Sequence, residues 1–237
     1  MADLNLEERA ESTARSLNHF GVFALTSEYW KLSESEQCGL RTDWVRGLAG
    51  TAAAVHHYRV FPTETRSDLL VWCALDASDA DAPHRFFDAY ARTLRPFRRY
   101  VQVMDLLWGF TRPSEYSRAR SRQEIDPFEA RTAPYLVMYP FTKTSEWYLL
   151  GREPRQEMMN EHIRIGKQYR EIAQLLLYSV GLQDQEFVVV YETSDLPLFS
   201  RLVSDLRGTE GRRYTKADTP VHTAVHRSVT DIENLWP

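Results

Sequence analysis

The sequence predicts an α+β fold: tandem ferredoxin-like repeats forming an antiparallel β-barrel with helices outside, of the dimeric α/β barrel type. Three observations predict it. FALTSEYWKL from Phe23 matches FTKTSEWYLL from Phe141 at an offset of 118 residues, half of the 237-residue chain. SDLLVWCALDASD from Ser67 and QEFVVVYETSD from Gln185 stand at the same offset, each an apolar run that closes on acidic and small residues. Each half then reads strand, helix, strand, a further strand-like segment, helix. Two such sheets pack face to face or curl into a barrel, and any open edge invites oligomerisation.

Taken in order, helical patterns lie near residues 35–54 and 79–98 in the first half, and near 154–178 and 195–208 in the second. The β-branched and aromatic runs within Ser67–Asp79 and Gln185–Asp195 are strands. The segment Thr111–Pro134, with Pro, Ser and five Arg, has no periodicity and separates the halves. The expected division is 1–115 for the first half, 116–133 for the linker and 134–237 for the second half. In the helix expected at 154–178, Met158, His162, Ile165, Tyr169, Ile172 and Leu176 recur at intervals of 4, 3, 4, 3 and 4, one apolar face. An imidazole in that stripe needs a partner: either a hydrogen bond satisfies it inside the core or a metal takes its lone pair. The position 118 residues before His162 is Trp44, so a site at His162 belongs to the second half alone.

Apolar content of 43%, charged content of 26% and a net charge of −4 describe a globular chain and give no reason to expect nucleic acid or an acidic membrane surface as partner. Cys38 and Cys73 stand outside any CxxC or Cys/His ladder, which excludes a disulfide framework or a structural zinc site and suits a cytoplasmic protein. The polar start MADLNLEERAESTARS lacks the apolar run of a signal peptide, and no stretch has the length of a membrane span. Six Trp and twelve Tyr suit a large flat ligand, and equally a well-packed core or subunit interface.

YPFTKTSEWYLL, the pair Glu161-His162 followed by Gly166 and Tyr169, LYSVGLQDQEFVVVYE and LRGTEGRRYTKADTP together resemble the chlorite dismutase family of haem proteins, over roughly Tyr135 to Thr223. The resemblance implies two ferredoxin-like repeats, a pentamer, and His162 as the proximal haem ligand. It implies Glu210 as acceptor of the other ring proton of His162, where the alternative is a solvated glutamate at a helix end. The distal arginine of chlorite dismutases falls about thirteen residues after the proximal histidine. Here that place is Leu175, or Gln174 with a one-residue slip. Without a distal cation, chlorite decomposition loses its main electrostatic support.

A tyrosine at position 139, 23 residues before His162, resembles the actinobacterial coprohaem decarboxylases. These complete haem b synthesis: iron coproporphyrin III is both substrate and cofactor, and two of its four propionates become vinyl groups at the expense of hydrogen peroxide. The resemblance implies Tyr139 as the radical relay between the ring centre and the propionate, where the alternative is a buried strand tyrosine. By strand alternation Lys143 shares its face and would pair with the carboxylate. Arg213 matches an arginine near a propionate, and Trp147 a tryptophan on the proximal side or a plain core residue. Arg120 or its neighbour falls where the actinobacterial linker carries a distal histidine, and no histidine lies between His84 and His162. The competing expectations are a chlorite-decomposing or peroxidase haem protein, and a non-enzymatic haem-binding protein.

Overall fold

Alternation along the strands sorts the interior into an enclosed inner core and two outer layers beneath helices. The structure is a computed structural model that describes residues 16–116, 121–231 and 234–237. Its strands are β1 (Ser16–Leu25), β2 (Ala54–Arg59), β3 (Leu69–Asp76), β4 (Val101–Phe110), β5 (Tyr135–Lys143), β6 (Ala173–Tyr178), β7 (Phe187–Thr193), β8 (Thr215–Ala217) and β9 (His222–Arg227). All their pairings are antiparallel, in the order β7-β6-β4-β1-β3-β2-β9-β5, and β5 pairs in turn with β7, so the sheet returns to its first strand. Phe20, Val22, Tyr58, Leu70, Trp72, Leu107, Leu136, Met138, Leu175, Leu177, Val188 and Val190 fill the enclosed side. The α+β class and the antiparallel sheet agree with the expectation from the sequence.

Helices α1 (Glu34–Ala49) and α2 (Ala82–Leu94) lie between strands of the first half, and α3 (Ser145–Leu149), α4 (Arg152–Gly166) and α5 (Leu196–Arg207) between strands of the second. Their starts follow local chemistry. Ser33 and Glu36 form a reciprocal capping box at α1, and the Asp195 carboxylate accepts from the Leu198 N–H at α5.

The helix expected at 154–178 is shorter, and the difference bears on the site. It ends at Gly166, where the chain turns through hydrogen bonds from Gln168 to Ile165 and from Tyr169 to Gly166. Residues 173–178 then form β6, in which Leu175 and Leu177 are buried while Gln174 and Leu176 face outward. Pairing with the apolar strand β7 overrides the 3.6-residue pattern, because the run AQLLLY also satisfies a period of two. Tyr169 and Ile172 still pack with Ile165, since the turn folds them back onto the same layer.

The connection between β4 and β5 is anchored. Ile125 enters the inner core, and Arg131 forms a buried ion pair with Glu192 at 3.3 Å while its guanidinium lies 5.4 Å from the Trp72 ring centroid. Where β4 meets β6 only Phe110 and Tyr178 pair as strands, and the seam is closed by side chains. Gln183 accepts from the Trp108 N–H and donates to the Leu106 carbonyl, and Gly109 lets the backbone of Tyr178 approach so closely that an added Cβ would meet its carbonyl at 2.8 Å.

The two outer layers differ. Beneath α1 and α2, eighteen described residues are buried together, and the C-terminal Leu235 and Trp236 complete that layer. Trp44 packs edge-on against Phe23, Phe97 and Trp236 at 5.2, 5.2 and 5.5 Å. Beneath α4 and α5 only Tyr169, Ile172, Val189, Tyr191 and Leu202 are buried as one cluster. Among the described residues, the layer beneath α4 and α5 is therefore the less filled of the two. Replacing Trp236 with Ala should cost about 3–5 kcal/mol, read from urea unfolding, because it opens the filled layer.

His19, His56 and His57 are buried, and burial holds each of them down at about 4, below the ordinary 6.5. Between those values the unfolded chain binds protons that the folded chain refuses. Stability should therefore fall as pH drops from about 6.5 to about 4, with up to three protons taken up on unfolding. Urea midpoints at stepped pH values measure this, and a midpoint that does not move across the window would contradict it.

Candidate active site

Strand β5 places the site. Leu136 and Met138 are fully buried in the inner core, so alternation turns Tyr139, Phe141 and Lys143 to the outer face, toward α4 and α5. Tyr139 lines a small open cavity of about 60 Å³ together with Phe199, Val203, Arg207, Asp218 and Val221. Burial raises the Tyr139 phenol above its ordinary range, with the Asp218 carboxylate adding to the rise and Arg207 and Arg212 opposing it.

Lys143 has only distant partners for its ammonium. Its ammonium reaches the Gly211 carbonyl and the Thr215 hydroxyl only at 3.4 and 3.5 Å, and it lies 4.5 Å from the Trp147 ring centroid. Among the described residues it has no carboxylate within ion-pair distance. Its backbone N–H donates to Glu186 at 2.7 Å. Burial, and then the positive charge of Arg212, pull the lysine down to about 8. An ammonium so placed favours an incoming anion, which would restore its charge-assisted hydrogen bonds.

His162 sits one turn after the buried Met158 on α4. Neither ring nitrogen has a hydrogen-bond partner among the described residues. Burial first, and Lys143 second, lower its proton affinity, so the imidazole is neutral at pH 7 with a lone pair available. The short helix Glu210–Tyr214 docks beside it through the Glu210 N–H, which donates to the Glu161 carboxylate at 3.1 Å.

A family described as Chlorite dismutase matches residues 35–227. The chain belongs to the chlorite dismutase family. Coproheme decarboxylase of Mycolicibacterium smegmatis is 30% identical over 186 residues, covering 75% of this chain and 74% of that protein. Coproheme decarboxylase of Staphylococcus saprophyticus is 31% identical over 159 residues, 62% of this chain and 64% of that protein. Among solved structures, chlorite dismutase from Candidatus Nitrospira defluvii in complex with imidazole matches with a TM-score of 0.77 over 96% of this chain and 97% of that chain, at 21% identity, a likeness of fold.

The other expected residues of this family member divide into those near the layer and those elsewhere. Trp147 is buried, under the Lys143 ammonium and 5.8 Å from the Tyr214 ring. Gln174 lies on the outer face, paired across strands with Tyr191. Leu175 faces the inner core, turned from Tyr139 by the pleat, so it does not line the cavity. Glu210 directs its carboxylate to Arg213 at 3.4 Å and not to His162, and Arg213 is 77% exposed. The arginine turned inward is Arg212, which pairs with Asp218 at 2.8 Å. In a 3₁₀ turn successive residues point about 120° apart, so two adjacent arginines cannot share a direction and the sequence does not say which one faces in. Arg120 lies outside the described residues.

Arg207, Asp218 and Tyr191 were not singled out from the sequence. Asp218 also takes Arg207 at 3.5 Å. Only the fold brings α5 and the segment before β9 to Tyr139, although alternation through Val189 and Tyr191 would have marked Tyr191 as outward-facing.

His162 is only partly buried, so water can meet its ring nitrogens in the ligand-free protein. His162→Leu should therefore change the stability of the ligand-free protein by no more than about 0.5 kcal/mol in urea unfolding, and a loss of about 1 kcal/mol or more would show that the imidazole is a satisfied core group.

Proposed function

We propose that the protein is a peroxide-dependent coprohaem decarboxylase, converting two propionates of iron coproporphyrin III to vinyl groups and yielding haem b. The observation that carries the reading is the grouping of Tyr139, Lys143 and the unpartnered neutral His162 in one under-filled layer. Each conversion balances as R–CH₂CH₂–COOH + H₂O₂ → R–CH=CH₂ + CO₂ + 2 H₂O, so two peroxides serve two propionates. The names and identities of the two coproheme decarboxylases support the assignment.

The residues fit the group. His162 would hold the iron, since its lone pair is free and no other acceptor among the described residues competes for its protons. The bound substrate supplies the redox-active iron at which peroxide reacts. Lys143 meets one carboxylate, and its proton affinity rises again once paired. Arg207 and Arg212 exceed Asp218 by one positive charge, leaving that side of the cavity able to take a second carboxylate beside Tyr139. Tyr139 would release its phenolic proton with an electron and take a hydrogen atom from the propionate β-carbon. The carbon radical so formed must lose one further electron, which the substrate's peroxide-oxidised iron would accept, as carbon dioxide leaves and the vinyl double bond forms.

Trp147 supports Lys143 from below, and Gln174 lines the outer face. Glu210 would accept from His162 after leaving Arg213. Arg120 would assist on the distal side. The two halves act as tandem ferredoxin-like repeats of one β-barrel, the assembly is a cytoplasmic homopentamer, and no helix among the described residues is long and apolar enough to cross a membrane. Chlorite decomposition is the weaker reading, because Leu175 provides no charge and faces the inner core.

Protein loaded with iron coproporphyrin III and titrated with hydrogen peroxide should give mono- and divinyl products by mass spectrometry. Tyr139→Phe should keep coprohaem affinity within about twofold and lose turnover by at least about a hundredfold. Absence of vinyl product from the unaltered chain would refute the assignment.

A further inference from the structure

At Lys143 strand β5 passes from one partner to another. Its pairing with β7 ends at Phe141 and Phe187, and its pairing with β8 shifts register between Thr142 and Lys143, where Lys143 stands opposite Thr215. On the β8 side the chain is held by the Thr144 N–H, which donates to the Tyr214 carbonyl at 2.9 Å. On the other side the strand partner has run out, because β7 begins at Phe187. Glu186, the residue before β7, takes its place: the Glu186 carboxylate accepts the Lys143 N–H at 2.7 Å.

The side chain does this because the Glu186 backbone is committed elsewhere. Its N–H donates to the Phe141 carbonyl at 3.2 Å, and its carbonyl accepts from the Ser179 N–H at 2.7 Å. The hairpin that presents Glu186 is itself fixed to β4, through the Ser179 hydroxyl donating to the Trp108 carbonyl and through Gln183 at the same seam. An N–H left without an acceptor in this partly buried place would be costly, so the contact holds the end of β5 against a fixed support. Engaged in this way, the carboxylate forms no ion pair with the Lys143 ammonium, which lies 4.5 Å from the Trp147 ring centroid. An ion pair there would have filled the place of an incoming anion. The charge of Glu186 acts on the ammonium through space, raising the proton affinity that burial and Arg212 lower.

We propose that Glu186 is a positioning residue for Lys143: its carboxylate stands in for a strand partner at the end of β5, fixes the backbone from which the lysine side chain projects and, being engaged there, leaves the ammonium to meet a ligand carboxylate. This rests on the reading of Lys143 as the group that meets a carboxylate of the substrate. It assigns to an acidic residue, at the edge of a site that takes anions, a part played through the backbone.

The test follows exchange of the Lys143 amide proton in the ligand-free full chain and, by Soret titration, affinity for iron coproporphyrin III. Glu186→Ala should speed exchange at Lys143 at least about tenfold and weaken coprohaem affinity about tenfold. Glu186→Gln keeps a side-chain oxygen as acceptor and should hold both within about threefold of the unaltered chain. In a Lys143→Met background, Glu186→Ala should weaken affinity no further, since Glu186 acts through the lysine. Unchanged exchange in Glu186→Ala overturns the proposal, and so does faster exchange with unaltered affinity. A Glu186→Gln chain that binds as weakly as Glu186→Ala also overturns it, because the charge and not the acceptor would then matter. Should Glu186→Ala fail to fold, the Lys143 amide resonance of the unaltered chain decides: it must move downfield as the Glu186 carboxyl ionises, and a resonance that stays in place refutes the contact. If the unaltered chain forms no vinyl product with peroxide, the functional reading fails while exchange and affinity still decide the role of Glu186.

Discussion

The pleat of β5 is the constraint from which the site follows. Leu136 and Met138 have no solvent exposure, and the strand is held on both edges, by β7 along Tyr135–Phe141 and by β9 along Tyr135–Met138. A slip of one residue would send Tyr139 and Phe141 into the inner core and bring Met138 out. The burial of two apolar side chains thus fixes the direction of a phenol and an ammonium that contribute nothing to that core. Burying each of the two is worth about 1.5–3 kcal/mol, more than a partly exposed polar pair returns, so the register is set from the enclosed side of the sheet and the groups on its outer face follow from it.

The halves repeat in the order of their elements but not in how their outer layers are filled. Trp44 and Trp236 close the first layer with aromatic contacts, and the position matching Trp44 in the repeat is His162. The second layer keeps His162 and Lys143 without close partners and leaves Tyr139 at an open cavity. Such groups weaken the ligand-free fold, and a well-filled first half offsets the loss. Asymmetry of filling, from nearly the same succession of strands and helices, separates a closely packed half from one that leaves polar groups at an open cavity.

Much of this was legible in the sequence, for identifiable reasons. The 118-residue offset survives because repeated strand and turn chemistry must survive with it, and strand alternation placed Tyr139 with Lys143 because a period of two depends on no distant contact. The helix expected through 178 failed at Gly166, because AQLLLY suits either period and only its pairing with β7 decides. Arg213 was expected where Arg212 faces inward, since a tight turn separates neighbours that look equivalent in a string of letters. Arg207 and Asp218 gave no local signal. Their place beside Tyr139 depends on how α5 and the segment before β9 cross the sheet.

Charge gives the last step. Lys143, Arg207 and Arg212 face Tyr139 and its surroundings against the carboxylates of Asp218 and Glu186, a local excess of one positive charge in a chain whose net charge is −4. In a half-buried layer this excess is costly unless anions enter, because desolvation disfavours each cation and mutual repulsion adds to it; the depressed proton affinity of Lys143 is the visible result. A carboxylate on a flat ligand would neutralise the excess, so the charges that would hold such a ligand would also bring a carboxyl-bearing arm to Tyr139, and binding and orientation would become one electrostatic requirement.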